Sequence, residues 1–121
     1  MKLIELLLRL EWLVVFLAGI GLYLAMNGHP LWLLPLLLAP DVSMLGYLGG
    51  PRLGAATYNA AHNLVVALSV LAIGWFAALA PVALAGALLV AHVGMDRSLG
   101  YGLKLATGFR DTHLGRIGTD R

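Results

Sequence analysis

Four side chains of this sequence can combine into one piece of chemistry: Asp41, His62, His92 and Asp96. Imidazole nitrogens and carboxylate oxygens are the donors that zinc and related divalent ions take. His92 and Asp96 stand at i,i+4, so a single helix presents both on one face. Tyr58 and His62 share that spacing, and Asn59 and His62 stand at i,i+3. An ion held by these groups would lower the pKa of a bound water and supply a nucleophile near neutral pH. His113 or Glu11 offers a fifth ligand. Ser43 and Tyr101 join Asp41 and Asp96 as candidate catalytic groups. Arg52, Asn59, Asn63, Arg97 and Lys104 are candidate substrate-binding groups, the cations among them suited to a phosphate or other anionic head group.

The same residues admit a structural role. Asp96 would then pair with Arg97 or Lys104, His62 with Asn59 or a backbone carbonyl, and Asp41 would cap a broken helix. The pattern His-x-x-x-Asp is loose, and no HExxH motif stands beside it. What weighs toward a shared site is the solvent. An aspartate placed in a bilayer costs about 2.5–3.5 kcal/mol on insertion scales, and two aspartates with two histidines at one depth need a common purpose.

That solvent follows from composition. Of 121 residues 60% are hydrophobic and 12% charged, and the mean hydropathy is +0.88. A water-soluble domain carries about 25% charge. The chain reads as a single membrane domain over residues 1–121, with the lipid bilayer as its first partner and a second copy of itself as another. Eight basic residues in no run, with a net charge of +2, do not make a nucleic-acid surface. The absence of cysteine excludes disulfides, thiolate metal sites and cysteine nucleophiles. No small-x-small cleavage site precedes Asn27-Gly28-His29-Pro30, so the first apolar stretch reads as a retained helix.

A spanning helix needs about 20 mostly apolar residues. Four candidates result: Leu6 to Met26, Leu31 to Leu48, Ala55 to Leu79, and Val82 to Leu105, with a polar tail from Thr107 to Arg121. Short loops make neighbours antiparallel, which gives an all-α, up-down four-helix bundle. Glycine and alanine crowd the third and fourth spans (Gly54, Ala55, Ala83, Gly86, Ala87), where they permit close helix approach. Lys2, Arg9, Arg52, Arg97, Lys104, Arg110, Arg116 and Arg121 all fall on one side, and the positive-inside rule puts that side, with both termini, in the cytoplasm.

This topology explains how distant residues meet. Asp41, Ser43 and Tyr47 occupy the second half of span two; Tyr58, Asn59, His62 and Asn63 the first half of span three; His92, Asp96, Arg97 and Tyr101 the second half of span four. Alternating direction brings all three halves to the cytoplasmic side. Pro40 removes a backbone donor beside Asp41 and loosens the helix there. Asp111-Thr112-His113 is close enough in sequence to fold back over the mouth. By contrast, His29 reads as a loop residue, Glu5 and Arg9 as an i,i+4 pair, and Trp12 as an interfacial anchor. Gly100-x-Gly102 lacks the third glycine of a nucleotide fingerprint.

Taken in order, Pro40-Asp41-x-Ser43-Met44-Leu45-Gly46-Tyr47, Gly50-Pro51-Arg52, Tyr58-Asn59-x-x-His62-Asn63, Ala91-His92-x-Gly94-x-Asp96-Arg97-x-Leu99-Gly100-Tyr101-Gly102-Leu103-Lys104 and Asp111-Thr112-His113-Leu114-Gly115 resemble the bacterial membrane-protein family catalogued as domain of unknown function 4260. The resemblance covers residues 6 to 118 and implies a small multi-spanning protein of the bacterial inner membrane; it implies no activity. A looser similarity, by analogy alone, is to membrane-embedded hydrolases of the ceramidase and adiponectin-receptor type.

Four functions compete. The first is a metal-dependent hydrolase acting on a lipid or amphiphile at the inner leaflet. The second is a proton- or ion-coupled transporter or channel subunit, for which intramembrane Asp and His and a proline-broken span are suited. The third is a haem protein with His62 and His92 as axial ligands. The fourth is an accessory membrane protein whose polar cluster only fixes helix register.

Overall fold

A computed structural model describes residues 2–118; Arg121, counted above among the cations of the tail, lies outside them. The chain is helical up to residue 99. Helix α1 (Leu3–Ala25) is followed by α2 (Pro30–Leu38), a 3₁₀ helix (Ala39–Gly49), α3 (Pro51–Ala61), α4 (Leu64–Phe76) and α5 (Ala80–Leu99). A short antiparallel hairpin, β1 (Asp111–Thr112) and β2 (Gly115–Arg116), closes the described chain.

Two of the expected spans are not continuous α-helix, for readable reasons. Pro30 opens α2 at its first turn, where the missing N–H costs nothing, and the His29 ring accepts the Leu31 N–H at 3.0 Å. From Ala39 onward the same segment tightens into eleven residues of 3₁₀ helix, a long run for that geometry. The third span breaks at His62–Asn63. There Asn63 adopts an extended backbone and caps α4 by accepting the Val66 N–H at 2.8 Å, so α3 and α4 meet at a bend of 42°. The fourth ends at Leu99 and not at Leu105. Gly100, at φ 91°, takes the left-handed position that closes a helix, with Tyr101 N–H on the Asp96 carbonyl at 2.7 Å and Gly100 N–H on that of Arg97 at 3.1 Å. Tyr101 and Lys104 are therefore on a loop.

Helix α5 is the centre of the molecule. Helices α1 and α4 pack along it, α2 touches it, and α3 lies on the 3₁₀ helix. Small residues allow this. A methyl group on Gly94 would meet the backbone of Trp12 and Phe16 of α1 at 2.8 and 2.5 Å, and one on Gly86 would collide with Leu71 of α4. Ala83, Ala87, Ala91 and Val93 are buried between the same neighbours. The outer faces are apolar: Leu48, Val65 and Phe76 are each more than three-quarters exposed. Pro30–Gly49 and Ala80–Leu99 are long and apolar enough to cross a membrane, and Pro51–Ala61 with Leu64–Phe76 makes a third such segment if the bent pair is one span.

Candidate metal centre

Each of the four side chains named first comes from a break or a crossing in this frame. Asp41 stands in the first turn of the 3₁₀ helix, His62 at the α3–α4 break, and His92 and Asp96 one turn apart on α5. The four donor atoms lie within 4.8 Å of one another, and both histidines are fully buried. His62 Nε2 is 3.1 Å from Asp41 Oδ1 and 3.8 Å from Asp96 Oδ2. His92 Nε2 is 3.2 Å from the same Asp41 oxygen and 3.3 Å from the same Asp96 oxygen. Donors about 2.0–2.2 Å from a tetrahedral ion stand about 3.3–3.6 Å apart, and the four separations of 3.1–3.8 Å lie around that range.

The outer ring nitrogens fix what the inner ones are. His62 Nδ1 is 2.7 Å from the Tyr58 carbonyl and His92 Nδ1 is 2.7 Å from the Leu37 carbonyl. A carbonyl only accepts, so each Nδ1 carries a proton, and each ring in its neutral form turns a lone pair inward. Two lone pairs then face two carboxylates. His92 Nε2 makes no hydrogen bond at all, although oxygens stand at 3.2 and 3.3 Å, because neither lies along the line that such a bond requires. For His62, the contact with Asp41 needs either a second proton on the ring or a cation between the two. Carbonyl-anchored imidazoles with buried carboxylates are the usual outer arrangement of a metal site. The group could hold a metal ion.

Both anchoring carbonyls are released by the breaks. In a 3₁₀ ladder the Leu37 carbonyl would bond the N–H of residue 40, which proline lacks. At the end of α3, the His62 N–H turns to the Asn59 carbonyl at 3.3 Å, leaving that of Tyr58 to the ring. Tyr58 contributes twice more. Its ring stacks on His62 at 3.7 Å between centroids, and its hydroxyl donates to Asp96 Oδ2 at 3.2 Å. Sequence reasoning placed Tyr58 in the polar group and gave it no role; its i,i+4 spacing to His62 was the available signal.

The remaining candidates divide. Tyr101 and Lys104 line a cavity of about 280 Å³ that opens on Asp41 and Asp96, with Met44, Tyr58 and Phe109 in its wall. The Lys104 ammonium lies 3.9 Å from the Phe109 ring centroid and 4.9 Å from that of Tyr58. Asn59, Asn63 and Arg97 serve the frame. Asn59 holds the Lys104 backbone by two bonds of 2.6 and 2.8 Å, and Asn63 caps α4 while donating to the Asn59 carbonyl. Arg97 donates to the carbonyls of His62 and Tyr101, both at 3.0 Å. Arg52 is exposed at the start of α3, and Glu11 is exposed on α1. Ser43 is displaced from the cavity face, since three residues per turn align Asp41 with Met44; its buried hydroxyl has no hydrogen-bond partner.

His113 does not join the four. It lines a separate cavity with Arg9, Trp12 and Arg97, where its Nδ1 accepts the Leu103 N–H at 2.8 Å. The tail does fold back, but onto residues 103–105 through Leu105 N–H to Asp111 and His113 N–H to Leu103. Nor is there room for a macrocycle between the imidazoles of His62 and His92, whose rings meet edge to face at 4.8 Å between centroids. No curated protein and no solved structure matches the chain. One family does, over residues 5–117, almost the whole length on which this site is built, and the chain belongs to it: the domain of unknown function DUF4260.

Proposed function

We propose that this protein is a hydrolase of the bacterial inner membrane, dependent on a divalent ion such as zinc, that acts on a lipid or amphiphile from the cytoplasmic side. Helix α1, 23 residues and about 35 Å long, serves as the first of four spans with both termini inside. Asp41, His62, His92 and Asp96 hold the ion. An ion held by these four residues would supply Lewis-acid polarisation of the scissile group and lower the pKa of a water at the site. Asp41, whose side chain is 36% exposed, is the carboxylate that exchanges a proton with water. Hydrolysis adds the water oxygen to the acyl or phosphoryl centre, and the water proton leaves with the departing group. Lys104 holds the anionic part of the substrate, and Tyr101 stands at the cavity rim.

The observation that carries this reading is His92 Nε2: fully buried, without a hydrogen bond, and beside two carboxylates. An unpaired buried nitrogen in that company is costly unless a proton or a metal ion completes it, and two imidazoles with two carboxylates are the donor set of a metal ion. The cavity beside Lys104 then favours an enzyme over a ligand set that only fixes helix register. A transport path is disfavoured by the wholly apolar character of the residues along α2 on the opposite side of the site. Elemental analysis of the purified protein tests the first step: about one divalent ion per chain in the parent, and a loss of at least tenfold in His62→Ala and His92→Ala. Folded protein that takes up no divalent ion even when one is supplied ends the proposal. Ion-loaded protein that cleaves none of a panel of acyl and phosphoryl amphiphiles removes the enzyme and keeps the ion.

A further inference from the structure

A second cavity stands on the other side of the ion site, and nothing so far gives it a use. It has a volume of about 720 Å³ and lies between α2 and α5, walled by Trp32, Leu36, Pro40, Ala85, Leu88 and Leu89. Tyr23, whose hydroxyl donates to the His29 carbonyl at 2.8 Å, stands at its outer end. The walls belong to the same two elements that carry the ligands. On α5, Ala85, Leu88, His92 and Asp96 follow at helical spacing along one face, so the cleft ends one turn, about 6 Å, below His92. On the other wall Pro40 is bonded directly to Asp41. The smaller cavity with Lys104 is lined by Asp41 and Asp96 themselves.

Two cavities therefore flank the cluster of two carboxylates and two imidazoles: an apolar cleft that reaches Pro40 and Leu88, and a chamber lined by Asp41, Asp96 and Lys104. We propose that the cleft between α2 and α5 receives the single acyl tail of the amphiphile whose head lies in the Lys104 chamber, with the bond to be cleaved at the ligands between them. This rests on the hydrolytic reading above and narrows its substrate to a mono-acyl amphiphile with an anionic head. The direction agrees with the bilayer. A molecule of the inner leaflet has its head at the cytoplasmic side and its tail pointing away from it; the cleft likewise runs from beside Pro40 and Leu88 away from the Lys104 chamber, toward His29 and Pro81. Pro81 and Leu88 lie seven residues apart on the cleft wall, about 10 Å along α5, so the cleft takes an extended chain lengthwise. The volume is within the range of sites that enclose a small ligand.

Trp32 supplies the probe. The ion-loaded protein, with Trp12→Phe and Trp75→Phe so that Trp32 is the remaining tryptophan, is placed in bilayer discs of unlabelled phospholipid. It is then titrated with a mono-acyl phosphate amphiphile brominated in mid-chain, which quenches indole fluorescence on contact. Saturable quenching is expected. Ala85→Phe, an exposed position on the cleft wall, should weaken the apparent affinity at least tenfold and leave ion content at one per chain. Quenching that rises linearly without saturation, equal in both proteins, means bulk lipid wets the cleft and overturns the inference. Saturable, Ala85-sensitive quenching in a protein that never retains an ion supports the cleft and overturns the hydrolase.

Discussion

At the scale of single residues, the centre is a set of inner donors held by outer partners, and the outer partners are where prediction is sharpest. Tyr58→Phe removes the hydroxyl that donates to Asp96 and keeps the ring stacked on His62. Loss of one outer hydrogen bond at a metal site costs about 10–100-fold in ion affinity. We expect that loss in a chelator-competition titration, with thermal stability of the ion-free protein little changed; equal affinity would show that Asp96 needs no such support. His113 is separable by pH. Loss of water around its ring, with the charge of Arg97 added, lowers its pKa below the ordinary 6.5. The folded protein thus binds its proton later than the unfolded chain does as pH falls. Its contribution is whole above the unfolded pKa and is lost as pH drops through the lowered value. His113→Gln should flatten the decline in melting temperature between about pH 7 and 5 (the window set by a histidine); because the residue is exposed, the effect is small. That Asp41, His62, His92 and Asp96 would come together was legible from residue type, depth and the i,i+4 pair. His113 was not separable from them, because sequence adjacency to the mouth says nothing of which side of α5 the tail returns on.

Among the elements, the two breaks do more for the site than the continuous helices. Proline at position 40 leaves the Leu37 carbonyl without its ladder partner, and that carbonyl anchors His92. Pro40→Ala restores an N–H that competes for it. The prediction has opposite signs in two measurements: the thermal midpoint holds or rises, since an alanine replaces a poor interior residue, while ion affinity falls about tenfold as the imidazole loses its anchor. Affinity and stability moving together would mean that Pro40 serves only the helix. Pro40 was visible in the sequence as a loosened turn before Asp41, but the long 3₁₀ run after it was not, because nothing in Val42 to Leu48 forbids α-helix. The break at His62 was hidden for a related reason. Asn63 reads equally as a mid-span polar residue and as a cap, and only the Val66 N–H that it accepts settles which. The glycine and alanine crowding of α5 was legible, and it is what lets α1 and α4 pack closely along that helix.

For the molecule as a whole, the distribution of charge and apolar surface makes the last prediction. Among the described residues Lys2 and Arg9 lie in the first half of α1 or just before it, Arg52 at the start of α3, Arg97 in the last turn of α5 and Lys104, Arg110 and Arg116 after it, while the turns at 26–30 and 77–80 contain neither lysine nor arginine. Both turns are closed by left-handed residues, Asn27 at φ 67° and Ala78 at φ 55°, the second without the glycine that such a position favours. They are compact caps with little to anchor on the cytoplasmic face. The protein lacks cysteine, so a single introduced thiol reports its own side of the membrane. With Leu79→Cys in the outer turn and Ala106→Cys in the loop beside Lys104, both exposed, a membrane-impermeant maleimide added to intact spheroplasts should label the first and spare the second. Permeabilised membranes should label both. The reverse pattern would put the Lys104 chamber outside the cell and exclude an inner-leaflet head group. Labelling of both in intact spheroplasts would mean that α5, which lies between the two positions, does not cross. Either result would leave the ligand geometry standing and move the substrate to another compartment, since the donors are fixed by packing within the chain and the orientation by charge alone.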